Sequence, residues 1–121
     1  MIFASKNAWA WLWVFCYAVF IFLCSAVPAQ YVPQAFSAFD KVFHIFLYMP
    51  FGFLVSRALV GTARLQGFNA LLVFIFMIII YALTDEVHQL YVPGRQFGSL
   101  DLLADTVGAM IGRAFHTLWQ K

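Results

Sequence analysis

The chain has 121 residues, 64% of them apolar and only 10% charged, with a formal net charge of +2 at neutral pH and a mean hydropathy of +0.88. A length of this order allows one domain, and so few charges, against about a quarter in soluble proteins, exclude an ordinary soluble globule. The small net charge, without a basic run or a stacking motif, also excludes a nucleic-acid partner.

The apolar stretches approach the roughly 20 residues that a helix needs to cross a bilayer, whereas barrel strands would be about ten residues long with alternating polarity. The expected fold is therefore all-α: one domain over 1–121, built as a four-transmembrane-helix bundle. Helix 1 is expected at about 8–27, read as an uncleaved signal anchor because its apolar run exceeds that of a cleaved signal. Trp9, Trp11 and Trp13 suit an interfacial belt at its start, and Pro28 and Pro33 end it and shape the loop that follows. Cys16 and Cys24 lie about 12 Å apart along one helix and cannot bridge within the chain; they read as small packing residues.

Helix 2 is expected at about 40–60, with a kink at Pro50. A short connection containing Arg64 leads to helix 3 at about 68–89. Val92-Pro93-Gly94-Arg95 reads as a tight turn, with Pro at its second position and Gly supplying positive φ at its third. Ser99 is the expected N-cap of helix 4, at about 100–119, with Asp101 in its first turn.

Short cytoplasmic loops carry excess Lys and Arg. With four spans, Lys6, Arg57, Arg64, Arg113 and Lys121 fall on one side, and Lys41 and Arg95 on the other. Both termini are then cytoplasmic, and all five acids, Asp40, Asp85, Glu86, Asp101 and Asp105, converge at the outer face.

Helical phase sharpens that convergence. Asp101, Asp105, Gly108 and Gly112 lie at i, i+4, i+7 and i+11, one narrow stripe on which glycines admit a neighbouring backbone while the carboxylates point inward. Asp40, His44 and Tyr48 share a stripe of helix 2. Glu86 and Gln89 share an edge of helix 3, with Asp85 and His88 on the adjacent edge. Asp105 is the least expected on simple grounds, because an unpaired aspartate one turn into a membrane helix costs about 2.5 to 3.5 kcal/mol.

The chemistry this pattern allows is acid-base work, with His44 and Glu86 as the catalytic pair and Asp40, Gln89, Arg95, Asp101 and Asp105 as binding residues. Whether the chain is an enzyme stays open. His44, His88 and the carboxylates also allow a divalent cation, but no HExxH or other ligand spacing supports one, so no metal ligand or cofactor is assigned. The competing reading is a structural clasp, with Arg95 paired to the acids. Asp101 reads equally as a first-turn acid that only stabilises its helix, and Asp85 as a solvated interfacial group. His88 and His116 read as interfacial.

Three segments together resemble the VanZ-like family of small bacterial membrane proteins: Asp40-Lys41-x-x-His44-x-x-x-Tyr48, Asp85-Glu86-x-His88-Gln89-x-x-Val92-Pro93-Gly94-Arg95, and Asp101-x-x-x-Asp105-x-x-Gly108-Ala109-x-x-Gly112. Many members carry Asn where this chain has Asp105. The resemblance implies a multi-pass protein of the bacterial inner membrane and cell envelope. Its founding member is linked to low-level resistance to the glycopeptide teicoplanin, but the resemblance brings no reaction, cofactor or catalytic residue with it. The function expected is a polar outer pocket that binds or modifies a lipid headgroup or lipid-linked envelope component. The alternative is a non-catalytic accessory subunit of a homo-oligomer or larger membrane complex.

Overall fold

The computed structural model describes residues 2–31, 37–62 and 65–121; Pro33 and Arg64 lie outside them. Four long helices carry the fold: α1 (Ile2–Ser25), α2 (Ser37–Thr62), α3 (Gly67–Gln89) and α4 (Ser99–Trp119), with a short 3-10 turn at Ala29–Tyr31 after α1. No strand is present among the described residues. The helices α1 and α2 begin earlier than hydropathy suggested, at Ile2 and Ser37. Apolarity marks what crosses a membrane, whereas backbone hydrogen bonding carries a helix on through polar residues such as Lys6 and Asn7.

Side-chain contacts fix the directions. At the start of α1, Trp11 Nε1 donates to Thr62 Oγ1 at the end of α2 (2.8 Å). Midway, Tyr17 OH donates to the Leu47 carbonyl, and Tyr81 OH of α3 donates to the Ala18 carbonyl. Trp11 thus turns inward, unlike Trp9 and Trp13, which are exposed as an aromatic belt would be. The end of α1 meets the end of α3, where Ser25 bonds Asp85. Helices α2 and α4 run parallel and pack most intimately: a Cβ on Gly108 would strike the Ile45 carbonyl, one on Gly112 the Met49 carbonyl, and one on Gly52 the Ala109 backbone. The α4 glycine stripe works as its spacing predicted, and Gly52 is its counterpart on α2. The helix α2 continues through Pro50, whose exposed position keeps its ring out of this interface.

The turn after α3 is as expected, with Arg95 N–H donating to the Val92 carbonyl (3.1 Å) and Gly94 at φ 77°. The helix α4 is capped by Gly98, not Ser99, and no side chain caps it. The Asp101 side chain lies against Gly98 in the space a Cβ would need.

The polarity of the bundle is inside out. Its core holds Tyr48, Phe51, Val55, Phe74 and Ile78, but also wholly buried Glu86 and Asp105, while Phe46 and Phe76 are 63% and 67% exposed. Among the described residues, three segments are long and apolar enough to cross a membrane: Lys6–Ser25, Asp40–Thr62 and Gly67–Gln89. The helix α4, with Asp101, Asp105 and Arg113, falls outside that set.

Candidate functional site

The acids gather where α2 and α4 begin and α1 and α3 end. At the centre, His44 Nδ1 of α2 lies 2.6 Å from Asp105 Oδ1 of α4. The next residue on α2, Ile45, is the one whose carbonyl faces Gly108, so the glycine contact sets the register that joins imidazole to carboxylate. From α3, Glu86 completes a group of three: one ligand-type atom from each of His44, Glu86 and Asp105 lies within 4.8 Å of the others, and all three residues are buried. Glu86 Oε2 accepts the Gly98 N–H at 3.2 Å, so the loop before α4 folds onto the end of α3. Glu86 Oε1 and Asp105 Oδ2 have no hydrogen-bond partner. A buried carboxylate oxygen without a donor is costly in any low-dielectric surrounding.

Towards the rim, Lys41 pairs with Asp101 and approaches Asp40 at 3.6 Å. Asp101 is also 3.9 Å from His44 Nε2. Asp40 itself is partly exposed. On the other side, Asp85 is buried and bonded, not solvated: its Oδ2 accepts from Ser25 Oγ (2.9 Å) and Tyr48 OH (3.1 Å).

Asp40, His44, Glu86, Asp101 and Asp105 are thus brought together, as their helical phase predicted. Gln89, one turn beyond Glu86, is buried as well. Arg95 is half-buried, but among the described residues it forms no ion pair with a carboxylate, and its Nε is unpartnered. The clasp that the competing reading gave to Arg95 is instead made by Lys41, which reaches Asp101 from its place beside Asp40 on α2. His88 stacks on Phe22, with ring centroids 4.0 Å apart.

Sequence reasoning overlooked Lys41, Ser25 and the Gly98 N–H as site groups. Lys41 was legible as a neighbour of Asp40; a lone serine and a backbone amide leave no signal. His116 also differs from expectation: it is buried, and its Nδ1 lies 3.1 Å from Ser56 Oγ. Arg113 reaches the same hydroxyl at 3.5 Å while its guanidinium lies 5.2 Å from the centre of the Phe74 ring. This second polar group ties α2 to α4 at the other end of the bundle.

The arrangement suits proton transfer and cation or headgroup binding. Asp105 orients the imidazole, Glu86 adds a second carboxylate, and donors are scarcer than acceptors. Comparison with curated proteins and with solved structures gave no match. The VanZ/LLP1 family model matches residues 10–120, which include all three polar segments. With nearly its whole length matched and its apolar helices long enough to span a bilayer, the chain belongs to the VanZ/LLP1 family and is a membrane protein of that kind.

Proposed function

We propose that the polar end of the bundle is a site that binds or modifies the headgroup of a phosphate-bearing lipid or lipid-linked envelope component. In this reading α4 is a fourth span of a single-domain protein in the bacterial inner membrane, both termini are cytoplasmic, and the site opens to the outer leaflet. The observation that carries it is half-buried Arg95, whose Nε has no partner, on the loop that the Gly98 N–H ties to Glu86; beside His44 stand the wholly buried carboxylates Glu86 and Asp105, each with an unpartnered oxygen. Groups left unsatisfied inside a membrane bundle are costly and concentrate where there is work for them. Arg95, with a free Nε on the turn above, supplies a planar donor for a phosphate. His44, held by Asp105, and Glu86 move protons. Asp40 and Gln89 contact the polar part of the headgroup.

The test is lipid retention by the purified protein, followed by native mass spectrometry, for Arg95→Gln, His44→Gln and Glu86→Gln. Loss of phosphate-bearing lipid in these variants is expected. Retention by all three folded variants, with an unchanged cellular phenotype, sinks the idea.

A second reading has its own support. The bonds from Ser25 and Tyr48 to Asp85, and from Lys41 to Asp101, would serve a helix-locking clasp in an accessory subunit of a homo-oligomer or larger assembly. In that case variants of Asp105 lose protein level or assembly while lipid retention is unaffected.

A further inference from the structure

We propose that His44, Glu86 and Asp105 form a divalent-cation site, of a kind suited to zinc or a similar first-row metal. Each ligand comes from a different helix, α2, α3 and α4, and their ligand-type atoms lie within 4.8 Å of one another. Zinc binds nitrogen and oxygen at about 2.0 to 2.2 Å, so the ligand atoms of a tetrahedral site lie about 3.4 Å apart, and the widest separation in the group closes by up to about 1.4 Å, within the reach of side-chain rotation. The 2.6 Å separation of His44 and Asp105 is a hydrogen bond, and it opens to about 3.4 Å as a tetrahedral edge. The proton it carried is released.

A cluster of acids does not by itself make a site; the second observation is the state of its oxygens. Glu86 and Asp105 are wholly buried, and Oε1 of one and Oδ2 of the other accept no hydrogen bond. Two carboxylates and a neutral imidazole balance a divalent charge, which a low-dielectric surrounding favours. One imidazole among oxygens selects zinc, manganese or iron over magnesium and calcium, which prefer oxygen alone. The neighbouring triad, Asp40, His44 and Asp101, has similar spacing, but the Lys41 ammonium already lies between its two aspartates. The unpartnered oxygens are on the Glu86 side. Three protein ligands leave a fourth position for water or for a ligand oxygen.

This inference does not rest on the headgroup reading: with the ion bound, His44 and Glu86 serve as its ligands instead of moving protons, and the test contains no lipid ligand. Zinc is titrated calorimetrically into the chelator-stripped, tag-free chain in detergent micelles. One ion per chain is expected, with affinity falling at least about tenfold in Glu86→Gln and in Asp105→Asn, by comparison with the effect of losing even an outer-shell partner. X-ray absorption of the zinc-loaded unmodified chain is expected to show one imidazole in an otherwise oxygen shell, and it decides the matter even if both variants fail to fold. The proposal is overturned if the unmodified chain shows no saturable binding, if both folded variants bind as it does, or if the shell holds no imidazole or several.

Discussion

Gly108→Ala adds a single methyl group at the point where α4 touches α2. Its Cβ would lie 2.9 Å from both the carbonyl carbon and the Cα of Ile45, and closer still to the carbonyl oxygen, whereas ordinary carbon contacts are about 3.5 to 4.0 Å. Backbone cannot swing aside as a flexible side chain does, so α2 and α4 must separate. Overpacking of this kind costs about 1 to 3 kcal/mol. Separation also stretches the 2.6 Å bond between His44 and Asp105, one residue and three residues from the contact on their respective helices; a hydrogen bond to a charged group contributes about 1.5 to 3 kcal/mol. Against this, alanine improves on glycine by about 1 kcal/mol within a helix. Destabilisation wins, by a net of about 1.5 to 5 kcal/mol on the same figures. The measurement is the unfolding midpoint in an SDS titration from dodecylmaltoside, followed by helicity and tryptophan fluorescence. Gly61→Ala is the comparison, since its Cβ would meet only the tip of the Asn7 side chain at 3.1 Å. Equal midpoints for Gly108→Ala and Gly61→Ala would refute the argument that backbone contact between α2 and α4 holds the site in register.

The remaining predictions concern the polar groups on either side of that contact. Tyr48→Phe removes one of two donors to Asp85 Oδ2 and is expected to cost about 1 to 2 kcal/mol in the same titration; joined with Ser25→Ala it strips the carboxylate of both, and the pair should cost about 3 to 5 kcal/mol, more than the single losses combined. Glu86→Gln keeps an acceptor for the Gly98 N–H while discharging a buried group, so the metal-free chain should unfold at the same point as the unmodified protein or later; a clear loss would favour the clasp. Lys41→Met leaves Asp101, whose side chain is only 11% exposed, without its cation, and a loss of about 1.5 to 3 kcal/mol is expected. Ser56→Ala cuts the link between Arg113 and His116 and should lower stability by about 1 to 2 kcal/mol while zinc binding, measured by calorimetry, is unchanged.

Most of the acidic end was legible because helices convert sequence spacing directly into geometry. The positions of Asp101, Asp105, Gly108 and Gly112 define one face whatever they pack against, and that face is buried as expected. Likewise Val92-Pro93-Gly94-Arg95 carries its own turn geometry, whatever its surroundings. What one helix cannot state is the register of its neighbour. Arg95 and Lys41 were equally good cations for the carboxylates by charge, and only the positions of α2 and α4 along each other decide that Lys41 reaches Asp101. Ser25 and Ser56 were invisible for a related reason: a small hydroxyl in an apolar helix has no signature until its partner is known, and their partners lie 60 residues away in the chain. Side-chain preference favours Ser99 as the cap, but Gly98 takes that place, its N–H already donating to Glu86 and its surface pressed by Asp101.

The deciding information was nevertheless present in an unassembled form. Gly52 on α2 and Gly108 and Gly112 on α4 are mutual points of backbone approach, with Gly52 facing Ala109 while Gly108 and Gly112 face Ile45 and Met49. Once two parallel helices are required to meet glycine to backbone at those positions, His44 falls beside Asp105 at one end and Ser56 beside His116 at the other. The packing residues and the polar residues are therefore one device. Small residues bring the backbones of α2 and α4 into contact, and that closeness lets a short aspartate reach an imidazole on the next helix. The same closeness leaves Glu86 Oε1 and Asp105 Oδ2 sealed among side chains, short of a donor and beside each other's charge. A looser interface would admit water and relieve both groups; this one leaves both oxygens without a donor.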